Sequence, residues 1–288
     1  MPSLYRFIDL ARVQRLISER ADCLVHPTLW PDPFESHFFY ARELGPMYRY
    51  NGIVSSSPPP PGTDFSPSCS WFDNEKHGCA KFIYAQCWST RAESDALWRR
   101  NKLDVRVEVD LDVLKALVTE AAGTNAVLFG SVKYVSEQEV AASRTAFLKR
   151  WPAPSLPPHV RPTSEWFTEI AAIMFEKREA FDFEHEFRII LYDQASYLPW
   201  RETVPAPLHD NLLLSERTNM PNTYPYKLDF NNHIRGVTLH PLLNDSEVQI
   251  QTQKLRSLGV SVPISQSSLY KRQNFDTWIS QHIPRPGS

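Results

Sequence analysis

The chain has 288 residues and is 42% hydrophobic, enough to bury a substantial core as one large domain or two closely packed ones. Its 31 basic and 33 acidic residues predict no broad electrostatic pull toward nucleic acid or a membrane surface. No apolar run approaches the roughly 18 to 20 residues of a bilayer span, and the first residues lack the apolar stretch of a secretory signal. The expectation is a cytoplasmic globular protein without a membrane partner.

In chain order, residues 4–7 read as a short strand bearing Tyr5 and Arg6, and Asp9 caps a helix to about residue 20 whose Leu10, Val13, Leu16 and Ile17 form an apolar stripe. Residues 21–26 read as a second strand. The proline-rich 27–35 segment that follows holds Trp30, Asp32 and Phe34, aromatics of the kind that pin an irregular loop. Residues 34–44 suit a helix, and 55–68, with four consecutive prolines, a surface loop. Residues 83–89 alternate as a strand that ends at Ser89, before a helix over 93–100 carrying Trp98. Strands over 105–111 and 127–135 each precede a helix, over 112–121 and 136–151, and a second proline-rich connector spans 152–162.

A helix over 163–179, with Trp166, Ile170, Ile173 and Met174 apolar and Lys177 near its end, leads into residues 183–192, Phe-Glu-His-Glu-Phe-Arg-Ile-Ile-Leu-Tyr. Period-two geometry puts Glu184, Glu186 and Arg188 on one face of that strand, and His185, Phe187, Ile189 and Leu191 on the other. The plainest account is an edge strand with a solvated face and an ion pair of little energetic weight. Residues 193–225 read as a long loop with a short helical turn. Strands over 226–230 and 234–240, a helix over 245–258 stopped by Gly259 and a strand over 260–264 follow, the last three as one β-α-β unit; a helix over 274–283 closes the chain. There is no internal repeat and no convincing boundary. The expected organisation is therefore a single domain, with a core over 1–193 and the β-α-β extension over 226–288 packed on it.

Four cysteines are few for the length and predict reduced thiols. Cys69, His77, Cys79 and Cys87 lack any Cys-x-x-Cys pair, and nine histidines show no zinc-binding spacing, so no metal site is expected.

Several stretches together resemble one family, in order along most of the chain: Leu4-Tyr5-Arg6-Phe7, Asp32-Pro33-Phe34-Glu35, Cys87-Trp88-Ser89 followed by Trp98, Val132-Lys133-Tyr134, Lys177, and Glu184-x-Glu186-x-Arg188. They look like the family called domain of unknown function 2971, a likeness compatible with a toxin or phage-defence role. More distantly, an Arg on the first strand, a Ser ending a middle strand and Glu-x-Glu on a later one are similar to ADP-ribosyltransferases of the Arg-Ser-Glu type. That second resemblance implies an α+β fold with a split, mostly antiparallel sheet flanked by helices and a cleft for NAD, the substrate cofactor. Arg6 would contact the dinucleotide and Ser89 its nicotinamide-side ribose. Glu186 would bind the ribose 2'-hydroxyl and steady the positive charge that develops on that ribose as nicotinamide leaves, and Glu184 would orient or deprotonate the acceptor, whether protein, nucleic acid, small molecule or water.

Chemistry gives these residue types a reason. Cleaving an N-glycosidic bond passes through an oxocarbenium-like state that a fixed carboxylate stabilises. A guanidinium, Arg6 or Arg188, suits a pyrophosphate through paired charge-assisted hydrogen bonds. Trp88, Trp30 or Phe34 could stack on a flat ring, although large aromatics more often anchor a core. Two other readings stay open. One is a non-catalytic module binding a ligand or partner in the same cleft; the other is a metal-dependent nuclease using Asp32, Glu184 and Glu186 as hard oxygen ligands. Arg6 could equally just pair with Glu184 or Glu186, and Ser89 could just cap a helix.

Overall fold

The computed structural model describes residues 2–30, 48–50, 53–55, 82–99, 104–150, 164–196 and 221–271. Asp32, Phe34, most of the two proline-rich segments and the helices expected over 34–44 and 274–283 lie outside the described residues.

The chain is α+β, with a mostly antiparallel open sheet flanked by helices. Its strands are β1 (Ser3–Ile8), β2 (Ala21–Val25), β5 (Ile83–Ser89), β6 (Val105–Asp110), β7 (Ala126–Ser131), β10 (Glu186–Tyr192), β11 (Thr223–Lys227), β12 (Ile234–Leu239) and β13 (Ile264–Gln266). Two small two-stranded ribbons stand apart: β3 (Tyr48–Tyr50) with β4 (Ile53–Ser55), and β8 (Lys133–Val135) with β9 (Glu176–Arg178). The helices are α1 (Leu10–Glu19), α2 (Asp95–Arg99), α3 (Leu111–Ala122), α4 (Glu137–Arg150), α5 (Ser164–Met174), α6 (Phe230–His233) and α7 (Asp245–Ser257).

Strand β5 is the hub. One edge pairs with β10 along its whole length, from Glu186 opposite Ser89 to Tyr192 opposite Ile83. The other edge is shared: Ala85 pairs with Val25 of β2, and Ser89 pairs with Tyr5 of β1. The sheet therefore forks at β5. One arm runs through β2 to β11, the other through β1, β6 and β12 to β13, and β7 lines the far side of β10.

Residues opposite one another in this register share a face. One face carries Leu4, Ile8, Leu24, Tyr84, Val105, Val107, Val109, Ile189, Leu191, Val237 and Leu239, and packs on Val13 and Leu16 of α1, Leu114 and Val118 of α3, and Leu255 of α7. The opposite face is divided. Ile83, Ala85, Ile190 and Tyr192 meet Phe167, Ala171 and Met174 of α5, while Ser89, Glu186, Arg188 and Arg106, all buried, make the other part polar.

Caps explain several helix boundaries. Asp9 accepts from Arg12 N–H at the start of α1, and Asn244 and Glu247 form a reciprocal capping box before α7. Gly259, at φ 89, then turns the chain out of α7.

Several expected elements differ. The long helix over 163–179 stops at Met174, because Lys133 N–H donates to Phe175 O at 2.7 Å and β8 takes residues 176–178 as a parallel partner. The strand expected over 127–135 breaks at Val132, whose N–H donates to Glu186 O at 2.9 Å. The strand expected over 226–230 lies instead at Thr223–Lys227. At the end of the β-α-β unit, residues 260–263 are held by Arg256, which donates to Val260 O and Val262 O, so the strand begins only at Ile264. In the β-α-β unit β12 is hydrogen-bonded along β6 and β13 along β12, while β11 pairs along β2, so the C-terminal segment fills three positions of the main sheet.

Ile189, fully buried in β10, should cost about 2–5 kcal/mol when cut to Ala. Ile250, 61% exposed on α7, should change stability by no more than about 0.5 kcal/mol. Urea denaturation of both variants checks this placement of the core.

Candidate functional site

The polar half of the divided face is built by four short elements. β10 begins at Glu186, later than the sequence pattern implies. Residues Glu179–Glu184 form a single 3-10 stretch, and His185 turns the chain at φ 42 before the strand starts. His185 is therefore exposed, not core-facing, and Glu184 approaches from the turn instead of from the strand. The turn is fastened to β5: Ser89 Oγ–H donates to Glu184 O at 2.8 Å, and Thr90 N–H donates to His185 O at 2.8 Å. The neighbouring β8–β9 ribbon pairs Tyr134 with Lys177 and brings both beside Glu186.

What gathers there is a buried quartet. Lys177 Nζ donates to Glu184 Oε2 at 2.6 Å and to Glu186 Oε2 at 3.0 Å. Arg188 donates through Nε to Glu186 Oε1 at 2.5 Å and through a terminal nitrogen to Glu186 Oε2 at 3.2 Å, and its other terminal nitrogen reaches Met174 O. The Trp30 ring lies over the Arg188 guanidinium, 4.8 Å from ring centroid to carbon. Burial by itself would raise the Glu186 carboxyl. Arg188, Lys177 and a hydrogen bond from Cys87 outweigh it and hold the group at about 2. Glu186 N–H donates to the Tyr134 hydroxyl at 2.7 Å, and burial together with the Glu186 charge pushes that phenol up to about 12.

The edge-strand account fails at this point, because β10 is paired on both edges and every residue in it is buried.

Arg6 belongs to a different group. Tyr5, Ser89 and Glu186 occupy one cross-strand row over β1, β5 and β10, so Arg6, next to Tyr5, leaves the sheet on the opposite face. It meets neither Glu184 nor Glu186. Its NH1 donates to Asp22 Oδ2 at 2.6 Å, and Arg12 binds the other oxygen of the same carboxylate. Gln86 Nε2 donates to Asp22 Oδ2 at 3.0 Å, the Tyr226 hydroxyl lies 3.1 Å from it, and Cys23 N–H donates to Oδ1 at 2.8 Å. Burial alone would raise Asp22, yet the two guanidiniums and the backbone donor lower it. Trp88 is buried on this same face, donates to Gln86 Oε1 at 2.7 Å and lies beneath Arg6, 5.6 Å from the guanidinium carbon. It anchors the fork and is not set beside Glu186.

Of the residues singled out from the sequence, Glu184, Glu186, Arg188, Lys177, Ser89 and Trp30 come together. Tyr5 lies on the same face, under the Arg106 guanidinium at 4.9 Å. Arg6 and Trp88 form the second group, and Asp32 and Phe34 fall outside the described residues. Sequence reasoning missed Asp22, Arg12, Gln86 and Tyr226, which come from four separate elements with no spacing signal. Tyr134, a motif residue without a role in the sequence reading, accepts from Glu186 N–H here.

Among the described residues, no group of three or more His, Cys, Asp and Glu is placed to hold a metal ion, and no helix is long and apolar enough to cross a membrane. No family model, no curated protein and no solved structure matches the chain.

Two outcomes follow from this geometry. Because the folded Glu186 value lies below its ordinary 4.5, its contribution is present above that value and lost as pH falls through it toward about 2. The stability gap between the native chain and Glu186→Gln should therefore narrow on acidification from about pH 6 to about pH 3; a gap that stays constant in urea denaturation would contradict the assignment. His185, held in the left-handed region, should accept Gly within about 1 kcal/mol, whereas Val should cost about 1–2 kcal/mol more by thermal unfolding.

Proposed function

We propose that this chain is an ADP-ribosyltransferase-like enzyme that takes NAD as substrate, breaks the nicotinamide glycosidic bond and passes ADP-ribose to an acceptor or to water. The observation that carries this reading is the row Tyr5–Ser89–Glu186. The three strands that the resemblance names are immediate neighbours, in the order first strand, Ser strand, Glu strand, and the Ser and the Glu are direct cross-strand partners. The fork at β5, where β1 and β2 part along one edge, is a further support for this reading.

In this scheme Glu186 stays ionised throughout the working pH range, so it can accept the ribose 2'-hydroxyl and oppose the positive charge that grows as nicotinamide leaves. Lys177 and Arg188 fix both carboxylate oxygens and so set its orientation before substrate arrives. Glu184, tied to the same lysine, is the group nearest in kind to an acceptor-orienting carboxylate. Arg6 has a different task from the one expected. It closes the fork by binding Asp22, and Tyr5 holds the corresponding position on the Glu186 face.

A second reading, a non-catalytic binding module, is favoured by one specific fact. Two carboxylates and two cations make the quartet neutral, and a balanced buried network presents little net field to a developing cation.

Purified protein incubated with labelled NAD, alone and with a cell extract, separates the two. The enzyme reading expects nicotinamide release that falls by about 10² to 10³ in Glu186→Gln, with the NAD-dependent rise in melting temperature retained. A melting shift without release selects the binding module. Neither release nor shift overturns both.

A further inference from the structure

The fork on the opposite face holds more positive charge than its fold requires. Arg6 from β1 and Arg12 from α1 converge on the single carboxylate of Asp22, one guanidinium on each oxygen, which leaves one unit of positive charge uncompensated within the group. A buried carboxylate is satisfied by one well-placed cation with added hydrogen bonds, and Asp22 already accepts from Gln86 and Cys23 N–H, with the Tyr226 hydroxyl close by. The second guanidinium therefore shares a carboxylate that already has one cation, and the pair keeps one positive charge in excess.

The donors of both arginines are also far from used. A guanidinium carries a planar fork of N–H groups. Arg6 spends NH1 on Asp22, Arg12 spends NH2 on Asp22 and Cys23 Sγ, and Arg12 Nε finds no acceptor. The two side chains remain 20% and 19% exposed, whereas Asp22 is 1% exposed, so both guanidinium arms reach the surface in part while the carboxylate, and Arg12 Nε with it, stays buried. The Trp88 indole below Arg6 and the capped first turn of α1, from which Arg12 springs, fix the directions of both groups.

We propose that Arg6 and Arg12 form a binding site for a phosphate-type oxyanion, at the fork of the sheet and on the face opposite Glu186. Paired oxygens on one phosphorus match the two forks, and the uncompensated charge is supplied with its counterpart only when such a group is bound. Asp22 acts as the positioning residue, holding the guanidiniums at a fixed separation before the ligand enters. Oxyanion capture at the fork is independent of NAD chemistry at Glu186.

The test is calorimetric titration of the full chain with inorganic pyrophosphate at low salt. The native chain should bind one equivalent. Arg12→Gln should weaken binding by about tenfold or more, the loss of a charged hydrogen-bond donor. Arg99→Gln, which removes the same charge from an exposed ion pair on α2, should leave binding unchanged. Should Arg12→Gln fail to fold, Arg12→Lys keeps the charge without the fork, and weaker binding with an intact melting transition supports the site. Absence of binding by the native chain, equal weakening in Arg99→Gln, or full affinity in a folded Arg12 variant would overturn it.

Discussion

The grip of Lys177 and Arg188 on the two oxygens of Glu186 is the constraint around which this half of the molecule is arranged. Carboxylate and guanidinium both lie on a strand paired along both edges, so neither reaches water, and a buried charge stripped of its partner costs about 3–5 kcal/mol. Each neighbouring irregularity serves that grip. Helix α5 stops where its last carbonyl, Met174 O, accepts from Arg188, β9 leaves the helix to present Lys177, and His185 accepts a left-handed backbone so that β10 can start with Glu186 opposite Ser89.

A comparable logic holds at the fork. β1 and β2 are joined by α1 and must separate to meet β5 at different points, which opens the sheet between Ala85 and Ser89. Asp22, Gln86, Trp88 and Tyr226 fill that opening with a buried hydrogen-bond network, and Arg6 and Arg12 close it. Among the described residues the molecule thus carries two polar centres on opposite faces of one sheet, one a buried quartet of balanced charge, the other cationic and partly exposed. The proposed oxyanion site lies at the second, while the first keeps a carboxylate ionised in a protein interior.

Local pattern carried the strands well. The stripe of α1 survives in the structure because it buries one face, and residues 83–89 and 105–110 hold as strands although both of their faces are largely buried. Pattern failed where tertiary pairing outbid local preference. Glu176, Lys177 and Arg178 read as the end of a helix, yet they form a strand because β8 offers backbone partners. The two carboxylates and Arg188 were legible as a chemical group, but their burial was not, since a polar face looks the same whether it meets water or a lysine. Arg6 illustrates the sharper limit. A shift of one residue along β1 moves a side chain through the sheet, so the order of Arg, Ser and Glu along the chain could not say which two share a face. Asp22 stayed hidden because its partners are distributed from Arg6 to Tyr226.

Catalysis at Glu186 requires that NAD lie against the Tyr5–Ser89–Glu186 row, and a structure of the chain bound to a non-cleavable NAD analogue reports this directly. The account predicts the nicotinamide-side ribose within hydrogen-bonding distance of the Glu186 carboxylate, with the Lys177 and Arg188 contacts preserved. An analogue lodged only at Arg6 and Arg12, on the other face, or with its ribose away from Glu186, would contradict it.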